Sequence, residues 1–195
     1  MKESLKIAIT GGIGSGKSTV IGILSKLGFK VVNLDEVYAK LLDDQDFVMQ
    51  LCNQFDVQPL TCENKIMLDR KALSEKVFSN AQLLAKLNAF THQRIFESAF
   101  KMQENSVTFY EVPLLFEGNY QHKFDRVWVV IRDKNARIAS AIARDGNEQR
   151  VLSKVKNQVD YDKIDLSLHT IIKNDGDIQS LQNEVKRAVS EIEQI

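Results

Sequence analysis

The sequence predicts an α/β fold, a parallel sheet wrapped by helices on both faces, and three observations carry that prediction. The apolar run Leu5–Thr10 leads into the glycine-rich turn Gly11–Gly16, and an amphipathic segment follows from Lys17, giving a strand, loop and helix in succession. Apolar and β-branched runs recur at Phe29–Leu34, Ser106–Val112, Arg126–Ile131 and Leu168–Ile172, separated by stretches of helical period. The run Arg126–Ile131 is almost continuously apolar, as a strand covered on both faces requires.

The first unit is the most informative. Gly11, Gly16, Lys17 and Ser18 fit the spacing G-x-x-x-x-G-K-[ST], in which backbone N–H groups cradle phosphates, the lysine reaches the β/γ-phosphates and the hydroxyl ligates Mg²⁺. Gly12, Ile13, Gly14, Ser15 and Thr19 complete the stretch. Glycines let the backbone approach an anion without a Cβ in the way. The helix beginning near Lys17 turns its unpaired N–H groups and positive dipole end toward the same anion. The alternative is a plain glycine-rich turn. Ile7 to Ile9 before the loop, and Val20, Ile21, Ile23, Leu24 and Leu27 after it at helical spacing, meet the context test for phosphate binding.

Composition limits the classes that remain. A chain of 195 residues with 44% hydrophobic content can bury one good core with sub-domain insertions. Lysines and arginines number 26 against 26 acids, so no global field draws the protein to nucleic acid or to an anionic membrane. No apolar run approaches the ~18 to 20 residues of a membrane span. No signal segment precedes the first strand, and Cys52 and Cys62 show no C-x-x-C spacing with each other, so a reduced, cytoplasmic protein is expected. Neither the cysteines nor His92, His122 and His169 have the spacing of a structural zinc site.

After the first helix, Gly28 marks its end and Phe29–Leu34 is the second strand. Asp35 stands at the carboxyl end of that strand, where the ligand crevice of an open parallel sheet lies. It is either a catalytic acid or the N-cap of a helix from Glu36 to Leu42. From Asp46 to Met102 the period is helical, through Phe47, Leu51 and Phe55, then Leu73, Val77 and Phe78, then Leu83 to Phe100, with a loop at Pro59–Asn64. That block is much longer than a normal crossover and reads as a substrate-binding insertion. Asp69–Arg70 opens one of its helices, as a cap with surface charge or as an arginine offered to phosphate; His92 and Arg94 face the same alternatives.

Ser106–Val112 is the third strand, stopped by Pro113. Arg126–Ile131 is the fourth, with Trp128 in the core. Lys134–Arg144 and Glu148–Val159, joined across Asp145–Asn147, form two helices rich in Arg and Lys. They read as a solvated basic face or, given the phosphate loop, as a lid carrying Arg144 to a triphosphate. Leu168–Ile172 is the fifth strand, Lys173–Asp177 a turn, and Ile178–Ile195 a final amphipathic helix. No guanine-reading N-K-x-D occurs in that turn, and the second acidic strand end of a motor ATPase is missing, so a small-molecule kinase remains. The same chemistry on another nucleoside, nucleotide or sugar, and a nucleotide-dependent binding protein with no acceptor, are the competing readings.

Thr10–Thr19, Asn33-Leu34-Asp35, Leu68–Leu73 with Val77-Phe78, Val112–Glu117, Arg144-Asp145 and Ile171–Asp177 follow the order and spacing of the dephospho-coenzyme A kinase family, which the whole chain resembles. The resemblance implies a P-loop NTPase three-layer sandwich with a five-stranded parallel sheet, a helical substrate-binding insertion and a small helical lid. Over the single domain 1–195 it implies a core at about 1–45, 104–133 and 160–195, a coenzyme A-binding region at about 46–103 and a lid at about 134–159. It implies transfer of the ATP γ-phosphate to the ribose 3′-hydroxyl of dephospho-coenzyme A, with ATP and Mg²⁺ bound. By the match, Asp35 accepts the hydroxyl proton, Lys17 neutralises β/γ charge, Ser18 ligates Mg²⁺ and Arg144 clamps phosphate. ATP is held by Gly12 to Thr19, Arg144, Asn174 and Gly176. The acceptor is held by Asp35, Arg70, His92, Pro113, Leu114, Leu115 and Glu117. The partner expected is the small molecule alone, with no nucleic acid and no membrane, in a monomer or weak homo-oligomer. Three positions depart from the family pattern: Asn33 for an acid, Gln93 for proline, and Ser140 for an arginine, for which Arg137 one turn earlier is a candidate substitute.

Overall fold

The computed structural model describes residues 4–63, 65–104 and 106–193. The chain runs β1 (Leu5–Thr10), α1 (Lys17–Lys26), β2 (Lys30–Asn33), α2 (Leu34–Leu41), α3 (Gln45–Phe55), β3 (Leu60–Cys62), β4 (Lys65–Met67), α4 (Arg70–Phe78), α5 (Ala81–Phe100), β5 (Val107–Glu111), β6 (Arg126–Ile131), α6 (Lys134–Asp145), α7 (Glu148–Lys156), β7 (Thr170–Lys173) and α8 (Ile178–Glu193). Short 3₁₀ turns fall at Gln121–Lys123 and Tyr161–Lys163. It divides into two compact units, Met1–Val32 with Gln103–Ile195, and Asn33–Met102. The second begins at Asn33, the last residue of β2 and the cap of α2, whereas the sequence division kept residues to about 45 with the core.

In the first unit the sheet has the order β2-β5-β1-β6-β7. β1 lies at the centre and pairs parallel with β5, Ile7 opposite Phe109, and with β6, Ile9 opposite Trp128; β6 pairs parallel with β7. Side chains alternate across a strand. Ile7, Ile9, Phe109, Trp128, Val130 and Ile172 therefore face α1 and α8, meeting Val20, Leu24, Leu181 and Val185. The intervening Ala8, Tyr110, Val127 and Val129 are buried too, so both faces of the sheet are covered, as the continuous apolar run of β6 predicts. The parallel arrangement brings the loops after β1, β5, β6 and β7 to one edge, where ligands of such sheets bind.

In the second unit α3, α4 and α5 bury Phe47, Leu51, Phe55, Leu73 and Val77 with Phe90, and the rings of Phe47 and Phe90 stack at 5.9 Å. Three local expectations change. Pro59–Asn64 is not a plain loop: Leu60–Cys62 pairs antiparallel with Lys65–Met67, while Asn64 itself lies outside the described residues. Phe78, counted in an apolar stripe, is 79% exposed at the last position of α4. The N-cap of α2 is Asn33, whose Oδ1 accepts from the N–H of Asp35 at 2.8 Å and of Glu36 at 3.2 Å. Asp35 is not the cap; it sits in the first turn with its side chain exposed. The final helix is described to Glu193, and Gln194 and Ile195 lie outside the described residues.

Candidate functional site

The loop between β1 and α1 is built around amides. Gly14 (φ +75°) and Gly16 (φ +98°) hold left-handed backbone, and a Cβ at either would run into the Arg137 carbonyl oxygen or the Asn174 side-chain amide. Only glycine fits both positions. Gly16 is the N-cap of α1 and offers no side chain to close the helix start. Ser15 N–H donates to Gly12 O at 3.1 Å and Thr19 N–H to Gly16 O at 3.0 Å. The N–H groups of Gly14, Gly16, Lys17 and Ser18 have no acceptor among the described residues. Four donors and the positive end of a helix dipole thus converge on one concavity, the arrangement that binds phosphate.

Lys17 supplies the matching cation. Its Nζ donates to Gly11 O at 2.6 Å and to Gly12 O at 3.2 Å. Burial pushes its pKa down to about 8, Glu111 and Glu117 oppose that shift, and the guanidinium groups of Arg144 and Arg137 add to it. Around pH 7 the group stays mostly protonated, poised to gain from any nearby anion.

The loops after β6 and β7 wall a cavity of about 420 Å³ beside the phosphate loop, lined by Gly12, Ser15, Arg132, Asp133, Arg137 and Tyr161 among others. Such a volume is that of a small-ligand site. Arg137 is 8% exposed, an unusual burial for arginine, and its Nη1 donates to Ile13 O at 3.4 Å. Asn174 Nδ2 donates to Ser15 O at 2.8 Å, and its N–H to Ile131 O. Asp175 Oδ1 accepts the Asp133 N–H at 2.7 Å, tying the ends of β6 and β7 together. Burial pushes the Tyr161 hydroxyl up to about 12, so it stays protonated against Thr10 Oγ1 at 3.3 Å.

The residues singled out in the sequence are placed as follows. Gly12 to Thr19, Asn174 and Arg137 come together at the loop. Arg144 is 61% exposed at the side chain and bonds Asp145 Oδ1 at 2.7 Å; that bond, with Lys154, holds the Asp145 carboxyl below the usual range. Gly176 is exposed in the turn after β7. After β5, Pro113 is half-buried and Leu114 exposed, but Leu115 is wholly buried. The Leu115 side chain is therefore core, with no surface for an acceptor. Glu117 Oε1 accepts the Val159 N–H at 3.0 Å, and its Oε2 is buried with no hydrogen-bond partner among the described residues. In the helical unit, Arg70 is exposed at the start of α4, where Asp69 is the cap through Ala72 N–H. His92 is half-buried on α5, and that burial lowers its pKa. Arg94 pairs with Glu97 at 3.7 Å.

Sequence reasoning missed Arg132, Gln158 and Tyr161. Only the tertiary fold brings them to the loop and its cavity, and no local pattern marks them.

The chain is similar to known proteins along its length. The sequence profile of the dephospho-CoA kinase family matches residues 5–180. A dephospho-CoA kinase of Corynebacterium glutamicum is 33% identical over 96% of this chain and 97% of its own. One of Fusobacterium nucleatum is 31% identical over 93% and 95%. Among solved structures, the dephospho-CoA kinase of Campylobacter jejuni superposes with a TM-score of 0.68 at 28% identity, covering 98% of each chain. The protein TT1252 of Thermus thermophilus gives 0.78 at 28% identity over 98% and 99%. A shikimate kinase of Bacteroides thetaiotaomicron, 12% identical over 97% of this chain and 98% of its own with a TM-score of 0.52, shares the fold.

Proposed function

The chain belongs to the dephospho-CoA kinase family, and on that premise we propose which of its residues bind, orient and deprotonate. The reaction is ATP-dependent transfer of the γ-phosphate to the ribose 3′-hydroxyl of dephospho-coenzyme A, leaving coenzyme A and ADP. The observation that carries the assignment is the start of α1: a helix left uncapped at Gly16, four backbone donors, and the Lys17 ammonium beside them.

The donors of Gly14, Gly16, Lys17 and Ser18 take the β-phosphate region of ATP, and Lys17 balances the charge that develops between β- and γ-phosphates. The base of the nucleotide occupies the 420 Å³ cavity between the ends of β6 and β7, where Asn174 holds the loop backbone and Gly176 lies in the adjoining turn. Asp35, exposed in the first turn of α2 and relieved of capping by Asn33, accepts the acceptor's hydroxyl proton. Arg144, on the lid helix α6, exchanges its Asp145 partner for phosphate. Arg70, His92, Pro113, Leu114 and Glu117 belong to the acceptor's side.

The residues present suit Mg²⁺. The Ser18 hydroxyl is a hard oxygen donor, exposed at the helix start, and no cluster of three carboxylate, histidine or cysteine side chains among the described residues forms a protein cage. That is the pattern of an ion carried mainly by phosphates and water. When bound, the ion neutralises phosphate charge; holding it falls to Ser18. No helix among the described residues is long and apolar enough to cross a membrane.

The test is a coupled assay of ADP release with and without dephospho-coenzyme A. Acceptor-dependent release is expected, and Asp35→Asn lowers turnover at least ~10²-fold while ATP affinity stays within a few-fold. Slow hydrolysis indifferent to the acceptor would favour a nucleotide-binding protein instead.

A further inference from the structure

The short segment leaving α7 is tied to the phosphate-binding edge at three points. Ile13 N–H donates to Gln158 Oε1 at 2.8 Å. Val159 N–H donates to Glu117 Oε1 at 3.0 Å, on the loop after β5. The Tyr161 hydroxyl meets Thr10 Oγ1 at 3.3 Å, at the last residue of β1. Within four residues the chain thus grips the start, the middle and a neighbour of the phosphate loop.

We propose that Gln158 is a positioning residue for the nucleotide: its side-chain carbonyl holds the Ile13 amide and so fixes the shape in which the neighbouring amides of the loop meet phosphate. This rests on the nucleotide-binding role given above to those amides. The loop carries four glycines between Gly11 and Gly16, and such backbone has more conformational freedom to lose than any other. A tie at its middle removes part of that freedom before the ligand arrives, which raises affinity.

The chemistry of the side chain fits the task. A carboxamide oxygen saturates one N–H without bringing negative charge, leaving the field of the nest to the polyanion. A carboxylate at the same place would make the same bond and repel the ligand. Glu117 and Tyr161 hold the segment itself, and Arg137, bonded to Ile13 O, holds the other side of the same peptide-flanked residue. Gln158 sits two residues beyond the end of α7, so its side chain ties that end of the segment to the phosphate loop as Arg137 ties α6.

The test uses the full chain and two variants, Gln158→Leu and Gln158→Glu. Amide exchange at Ile13, followed by NMR without nucleotide, is expected to speed up at least ~10-fold in Gln158→Leu as the acceptor is lost. ATP and ADP dissociation constants, measured by calorimetry, rise about fivefold to tenfold, as for one lost hydrogen bond, while KM for dephospho-coenzyme A stays within about twofold. In Gln158→Glu the Ile13 amide stays protected but ATP binds more weakly, and added salt recovers part of the loss. Unchanged Ile13 exchange and unchanged ATP affinity in Gln158→Leu would overturn the proposal, and so would tighter binding, which would make the carboxamide a competitor of phosphate. Should Gln158→Leu fail to fold, loss of Ile13 protection in a folded Gln158→Glu would overturn it as well. Absence of acceptor-dependent ADP release in the parent enzyme would sink the kinase reading but leave the exchange and ATP-binding results to decide this one.

Discussion

The two units of the molecule begin their helices in opposite ways. In the helical unit every helix closes its own amides with a side chain: Asn33 for α2, Asp44 for α3, Asp69 for α4 and Asn80 for α5. In the sheet unit α6 and α7 do the same with Asp133 and Asn147, but α1 starts on Gly16 with none. Starting the helix on glycine costs a few tenths of a kcal/mol relative to a capping side chain, since glycine is itself a tolerated N-cap. The chain makes that omission where Lys17 and four amide donors converge. A helix cap and an anion site use the same donors, so one start cannot serve both ends.

That contrast can be broken at several places. The largest effect is expected on the helical side, where Phe47→Ala empties a fully buried site and destabilises by about 3–5 kcal/mol. Urea denaturation measures it, and at low urea the folded variant keeps its ATP affinity. A parallel loss of ATP affinity in folded protein would show that the contrast between the units is false. On the sheet side, Lys17→Ala should lower kcat/KM about 10²- to 10³-fold with little change in melting temperature, because it removes charge and neither core nor cap.

A pH series sharpens the same point. Lys17 titrates near 8, its ammonium disfavoured by burial, whereas bound phosphates hold it charged. ATP affinity is therefore flat below about pH 8 and falls above it, by about tenfold at pH 9. Calorimetry in buffers of different ionisation enthalpy should show proton uptake on binding near pH 9 and almost none at pH 7. The smallest effect is that of a helix cap. Asn80→Ala, which frees the N–H groups of Gln82 and Leu83, should cost about 1 kcal/mol by denaturation and leave kcat and both KM values unchanged.

What could be read in advance divides by the range of the interactions involved. Leu5–Thr10 and Arg126–Ile131 were legible as strands to the residue, since period and composition are local properties. The phosphate loop was legible because its glycines answer to a backbone requirement that spacing records. The hairpin Leu60–Met67 escaped because its strands are three residues each and mostly exposed, too short for any alternation to show. Asp35 stood open between cap and catalytic acid because its residue type caps well, and only the hydrogen bonds of Asn33 show that the cap lies two residues earlier. The neutral Asn33 thus performs a local structural task, closing the first turn of α2. Arg137 stood among basic residues that read as a solvated face or a lid; its burial against Ile13 depends on how α6 returns to the loop after β1, which no local pattern encodes. Gln158 gave no signal at all, being an ordinary polar residue after a helix.

Trp128, set in β6 with the Phe109 ring 4.9 Å away, is the sole tryptophan of the chain, and Asn33–Met102 contains none. Intrinsic emission excited at the indole therefore tracks loss of the sheet unit alone, whereas far-ultraviolet ellipticity also follows the helices of the other unit. Coincident transitions from the two optical signals would mean one cooperative melting event for the entire chain, and separated midpoints would mean that each half comes apart on its own.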